Sequence, residues 1–289
     1  MNMEEFMREA VASKTCPPNF KKVYNKFKIY QNEALNTLKE FHRVCEKNHI
    51  PYQLAFGSLL GAVRDGGQIP WDYDIDVMVP YSSKGDLINA LKKDLDDNYY
   101  FYCPENNDGC RHVIMRLAPK GYRTEALHVD VFYYIGTPNN KEERKNFVGE
   151  IKNVSELHYR RLVKPVEESA GNIKRMLGIF KIKIPAMFFS VKKLRKKYNE
   201  LCQRYSIQES EICVEADSFA DLYEIPKEYL IKTELMDTQM GTFRVSSNYN
   251  ELLVIWYKDY MSVPAIEKRI EEVVRNTKRL IYFDKKSCS

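Results

Sequence analysis

The stretch Tyr52–Val79, YQLAFGSLLGAVRDGGQIPWDYDIDVMV, constrains this chain more than any other. It ends with Asp72, Asp74 and Asp76 set into a run, Ile75-Asp76-Val77-Met78-Val79, that otherwise reads as a buried strand. Strand side chains alternate faces, so Asp74 and Asp76 share one face while Ile75 and Val77 can turn to a core. Two carboxylates on neighbouring same-face positions repel and resist burial. A hard divalent cation such as Mg²⁺ removes the conflict, because it takes carboxylate oxygens and bridges to phosphates. The plain alternative is a solvated acidic loop, and a D-x-D spacing alone does not decide between them. The apolar neighbours favour the strand.

Upstream, an apolar run ends at Gly57-Ser58, and Leu59–Val63 leads to Arg64 and the turn Asp65-Gly66-Gly67. We expect a strand over 52–56, a corner at Gly57-Ser58 and a short helix over 59–63. Before it, Phe27, Gln31, Ala34, Leu35, Leu38, Phe41 and Cys45 recur every three or four residues, which predicts an amphipathic helix over 25–48 packed on a sheet. His42 and His49 lack metal-ligand spacing and read as structural. Residues 1 to about 22 are mixed, broken by Pro17-Pro18. Downstream we expect a helix over 84–95 and strands over 99–103, 111–117 and 128–134. The last is strongly β-prone yet carries Asp130 at its centre. An acid there is either exposed on an edge strand or brought beside Asp74 and Asp76 as a third metal carboxylate.

The second half is less informative. Residues 138–150 read as a loop or exposed helix. Ile173–Tyr205 holds ten Lys/Arg and one acid, Glu200, a local charge of +9, with interleaved Leu177, Ile179, Phe180, Met187, Phe188 and Phe189 and a break at Pro185. Such a segment can lie on an anionic membrane surface, or it can be the solvated face of ordinary core-packing helices. Short apolar pieces follow over 212–235 with a turn at Ile225-Pro226. A strand is expected over 241–245, a helix over 249–256 and a last helix from Pro264. The net charge of +5 is too mild to imply a nucleic-acid partner. No apolar run reaches the length of a membrane span, and the N-terminus lacks the order of a signal peptide. Seven scattered cysteines without a C-x-x-C fit a reducing, cytoplasmic compartment.

A Gly-Ser corner after a helix and strand, a D-x-D strand and a later lone Asp form the order of a nucleotidyltransferase-like (polymerase β-like) fold. That implies an α+β architecture, a mixed sheet flanked by helices, with additional C-terminal helices. Gly57 would let a phosphate approach the backbone at a helix start. The stretch 45–77, CEKNHIPYQLAFGSLLGAVRDGGQIPWDYDIDV, closely resembles the LicD family, and the resemblance continues at HVDVF and at Asn248-Tyr249, Tyr257-Lys258-Asp259-Tyr260-Met261 and Pro264. It covers residues 30–135 well and 240–270 moderately.

The resemblance implies a transferase that moves a phosphorylated small group, phosphocholine from CDP-choline or a polyol phosphate, onto a cell-surface glycan. Asp74, Asp76 and Asp130 would then be catalytic and hold Mg²⁺ or Mn²⁺, with Asp72 supporting Asp74. Gly57, Ser58 and Arg64 would meet the donor pyrophosphate, and Lys258 and Asp259 would line the donor pocket. The acceptor hydroxyl would be activated by the metal or by a carboxylate, Asp130 above all. Tyr73 departs from the family's third consecutive acid, Ser58 from its Thr and Lys258 from its Gly. The expected division is an N-terminal extension (1–24), a catalytic core (25–150) and a mostly helical C-terminal part (151–289) that completes the donor and acceptor site. The implied partners are a CDP-linked donor, a glycan or lipid-linked glycan and, through 173–205, the inner membrane face, with no nucleic acid. Two other classes stay open: a nucleotidyltransferase moving NMP from an NTP to a small molecule or RNA, and a non-catalytic glycan-associated protein.

Overall fold

In the computed structural model, residues 1–169 and 172–285 are described; Cys288 lies outside the described residues. The N-terminal segment, whose mixed sequence predicted no particular element, forms α1 (Met3–Ala12), with Asn2 capping its first turn by accepting the Glu5 N–H. Phe6 and Ala10 are fully buried, and the Phe6 ring stands 5.5 Å from Trp71. The long amphipathic helix is α2 (Phe20–Lys47); it starts five residues early because Phe20 and Tyr24 continue the apolar stripe inward.

Next come β1 (Gln53–Leu54), α3 (Phe56–Leu60), a π-turn over Gly61–Asp65, β2 (Ile75–Pro80) and α4 (Lys84–Asp94). The expected Gly-Ser corner is therefore the first turn of α3, entered through Phe56 at φ +42°. The π-turn needs Gly61: a Cβ there would stand 2.5 Å from the Gly67 carbonyl oxygen. Then follow β3 (Tyr99–Tyr102), β4 (Met115–Pro119) and β5 (Val129–Gly136). The expected strand over 111–117 is regular only from Met115, because β5 offers it only Val129–Val131 as partners.

The stretch read as loop or exposed helix opens α5 (Lys141–Leu162). Asn140 caps it, and Phe147, Val148, Ile151 and Val154 form a buried stripe that the charged residues around them masked in the sequence. After it come α6 (Pro165–Glu168), α7 (Ile173–Ala186) and α8 (Val191–Cys202). β6 (Ile212–Glu215), β7 (Ile225–Pro226) and α9 (Glu228–Ile231) lead to a hairpin of β8 (Thr233–Thr238) and β9 (Gly241–Ser246). β8 was not legible, since its residues are largely exposed and lack apolar alternation. The chain ends with α10 (Tyr249–Tyr257) and α11 (Ile266–Lys285), which packs against α2.

The architecture is α+β. One mixed sheet runs β1-β2-β5-β4-β3, with β2 and β5 parallel, and β6 and β7 attached to β5. β2 pairs with β5 along Val129–Tyr134. On the opposite edge β5 has two partners in succession, β4 at Val129–Val131 and β6 at Tyr134–Gly136. The sheet forks between them. A single buried core extends from Phe6 to Leu280.

Candidate active site

The parallel register places Asp76 directly opposite Asp130, and the antiparallel register places Arg116 of β4 opposite Asp130 on its other side. All three therefore lie on one face of the sheet. Arg116 Nε donates to Asp130 Oδ1 at 2.7 Å, and His128 Nε2 stands 3.3 Å from Asp130 Oδ2. Among the described residues Asp76 has no such ion pair. Its backbone N–H donates to Ser58 Oγ at 2.8 Å, so buried Ser58 holds the start of β2. Asp74 lies just before β2, exposed, at the same edge. Asp72 Oδ1 accepts the Asp74 N–H at 3.3 Å, and its Oδ2 would be only 3.1 Å from a Cβ placed on Gly57. Gly57 thus leaves room for the Asp72 carboxylate itself.

Electrostatics separate these acids. Burial, then the neighbouring Asp130, Asp74 and Asp72 carboxylates, push the Asp76 carboxyl well above its usual range. Burial and Asp72 push Asp74 up to about 6, although its exposure lets solvent screen part of that repulsion. Burial also works to raise Asp130, but Arg116 and His128 outweigh it and hold that carboxyl far below the usual carboxylate range. The result is a face with more carboxylates than cations. Its donor set, all hard carboxylate oxygen, suits a hard divalent cation. Among the described residues no three His, Cys, Asp or Glu side chains stand in metal-ligand geometry, consistent with Asp130 being turned onto Arg116 and His128.

Several further residues shape the site. β6 runs antiparallel to β5 with Glu215 opposite Tyr134, and the Ala216 N–H donates to the Tyr133 carbonyl, so Glu215 and Asp217 point to the face of Asp130. Both are buried, and Glu215 Oε1 has no hydrogen-bond partner among the described residues. The alternation Glu215-Ala216-Asp217 after a β-prone run repeats the signal of Asp74 and Asp76 and could have been read the same way. Gln31 of α2 donates to the carbonyls of Ile69 (3.1 Å) and Asp72 (2.5 Å), fixing the loop that delivers the acids. From α11, Arg279 lowers and Glu272 raises the nearby acids, a contribution invisible without the tertiary packing.

In the fork between β4 and β6 lies a cavity of about 320 Å³. Asp130, Arg116, Phe132, Tyr159, Asp217 and Phe219 are among the residues that line it. Phe132 also packs edge-on against Phe56, whose ring is 4.5 Å from Trp256.

The remaining candidate residues are placed differently. Arg64 is buried, donates to Asp65 Oδ2 at 2.8 Å and reaches the Ser262 carbonyl at 3.4 Å. As it stands, its donors hold the π-turn and the loop after α10 rather than face the acids. That loop carries Lys258 and Asp259, both exposed. It adjoins the acids through Tyr257, whose hydroxyl is pushed up by burial and then by Asp76 and Asp72. Lys258 has φ +58° and ψ −98°, a conformation that only glycine adopts without strain. Lys258→Gly is expected to raise stability by about 1 kcal/mol in a urea titration; a loss of stability would show that the lysine side chain stabilises the turn.

Residues 49–169 match a family model described as LicD/FKTN/FKRP, nucleotidyltransferase domain. The chain is 25% identical over 249 residues to the lipopolysaccharide cholinephosphotransferase LicD of Haemophilus influenzae, which covers 81% of this chain and 91% of that protein. An uncharacterised protein of Rickettsia prowazekii is 37% identical over 69 residues, 23% of this chain and 26% of that protein. A second, from Rickettsia typhi, is 36% identical over 62 residues, 20% of each chain.

Proposed function

Since the chain belongs to the LicD family through its nucleotidyltransferase domain at residues 49–169, we propose that it transfers phosphocholine from a CDP-linked donor to a hydroxyl of a cell-surface glycan. The observation that carries this reading is the in-register pair Asp76 and Asp130 beside a cavity with aromatic and acidic walls. Phe132, Tyr159 and Phe219 contribute aromatic side chains and Asp217 a carboxylate to the lining, a composition suited to a quaternary ammonium group. A polyol phosphate lacks the cationic group that aromatic rings and a carboxylate attract.

In this reading Asp74, Asp76 and Asp130 would hold Mg²⁺ or Mn²⁺, which supplies positive charge at the donor pyrophosphate when bound. Arg116 and His128 orient Asp130 and keep it ionised. A carboxylate held so far below its usual range is a weak base, so we assign Asp130 to positioning rather than to proton abstraction. Ser58 and Gln31 fix the backbone on which Asp76 and Asp72 are mounted. The acceptor oxygen forms a bond to the phosphorus bearing choline. The bridging P–O bond breaks, CMP leaves with the bridging oxygen, and the hydroxyl proton passes to solvent.

The test is thermal unfolding with Mg²⁺ and, in turn, CDP-choline, CDP-glycerol, CDP-ribitol, CTP, ATP and UTP. CDP-choline is expected to stabilise the protein, by about 2.7 kcal/mol at a hundred times its dissociation constant. Stabilisation by a CDP-polyol alone would replace the choline assignment. A response to NTPs alone would replace it with nucleotidyl transfer.

A further inference from the structure

The basic segment splits into two helices of different character. α8 behaves as an ordinary core-packing helix: Leu194, Tyr198, Leu201 and Cys202 are buried. α7 does not. Only Ala186 of its 14 residues is buried. Its inner side, Met176, Ile179, Lys183 and Ala186, faces the body of the protein, with Lys183 Nζ donating to the Val163 carbonyl at 2.6 Å. On its outer side Ile173, Leu177, Phe180, Ile184 and Met187 follow one another at intervals of four and three residues. That spacing makes one continuous stripe along the helix. All five are exposed, and Phe188, in the turn that follows, is 89% exposed. Single exposed apolar residues are ordinary; a stripe of this length ending in a bare aromatic ring marks a contact surface.

The charges around the stripe identify the contact. Lys174 and Lys181 project beside it at helical spacing, and Lys192 and Lys193 open α8 at its end. None of these four forms an ion pair among the described residues, whereas Arg175, Arg195, Lys197 and Arg204 all do. A second copy of this chain seated on the stripe would oppose one segment of charge +9 to another, at a cost in repulsion. An anionic bilayer surface takes the apolar stripe into its acyl boundary and the lysines at its headgroups. We propose that α7 and the Met187–Phe189 turn dock the protein peripherally on an anionic membrane surface.

The docking helix is wired to the cavity. Glu168 of α6 pairs with Arg175 of α7 at 3.2 Å and with Arg111, on the cavity wall, at 3.0 Å. α8 ties the adjoining loop, through Arg195 to Asp108 and to the Asn107 and Asp108 carbonyls. A membrane-seated α7 therefore holds the cavity close to the bilayer, where an acceptor on a lipid carrier would sit. The docking itself does not depend on which group is transferred.

The test is co-sedimentation of the full chain with vesicles of phosphatidylcholine alone and of phosphatidylcholine with phosphatidylglycerol. Binding is expected only to the anionic vesicles and is expected to weaken as salt rises. Lys174→Glu/Lys181→Glu should weaken it by about tenfold or more, and Leu177→Glu/Phe188→Glu should weaken it at least as much. Both variants replace exposed residues, so their melting curves and any donor-induced stabilisation should match the parent protein. Three results would each overturn the proposal. They are equal binding to both vesicle types, binding unchanged in either variant, or a concentration-dependent dimer abolished by Leu177→Glu/Phe188→Glu without vesicle binding.

Discussion

Asp76→Asn is expected to lower turnover by about a thousandfold or more while raising the melting temperature of the cation-free protein. The two effects have one cause. Burial and the surrounding carboxylates disfavour the ionised form of Asp76, so its charge is a cost to the fold that only a bound cation or substrate offsets. The sign follows from linkage. Asp74 and Asp76 have folded-state pKa values above their unfolded ones, so their stabilising contribution is complete below about pH 4 and is lost as pH rises, for Asp74 through about 6. The cation-free protein should therefore lose stability relative to the variant as pH rises from about 4, the unfolded carboxylate range, through the raised Asp76 pKa. Added Mg²⁺ should close the gap for the parent and not for the variant. Paired urea titrations and turnover assays across that range check the prediction. A variant that is destabilised like a core substitution, with turnover intact, would place Asp76 in a structural role.

Arg116→Leu is expected to destabilise the protein by about 2–4 kcal/mol, because it leaves the Asp130 carboxylate buried with only His128 as partner. Asp130 is the opposite case from Asp76: its folded-state pKa is depressed, so the stability it contributes is present above about pH 4 and is lost only in strong acid. Arg116→Leu should shift that loss to higher pH. In the double variant Arg116→Leu/Asp130→Asn the charge is gone, and most of the lost stability should return, while turnover should be lost with the Asp130 carboxylate. If the double variant is no more stable than the single one, Arg116 contributes through packing and not through its pairing with Asp130.

Much of the fold was legible because its signals are local. The apolar stripe of α2, the apolar run Ile75–Val79 interrupted only by Asp76 and the β-prone run around Asp130 each report their own burial within a few residues. α5 was read only as a loop or exposed helix because its charged outer face dominates its first turns, and β8 escaped because an exposed hairpin strand has no core face to reveal it. Arg116 lay within the strand expected over 111–117, yet nothing in β4 alone indicated that its partner would be an acid 14 residues away.

Among the site residues the difference is one of range. The chain by itself set Asp74 and Asp76 two residues apart, predicted that Ile75 and Val77 would be buried, and left Asp130 either exposed on an edge strand or drawn to a partner. These follow from the two-residue period of a strand and the cost of burying charge. Only the tertiary structure decided that β5 would take β2 on one edge and divide the other between β4 and β6. That choice set Asp130 between Asp76 and Arg116 and opened the cavity at the fork. The tertiary structure likewise shows Arg64 paired with Asp65 and the stripe of α7 bare. Pairing between strands distant in sequence is settled by the packing of the whole core, and no local period encodes it.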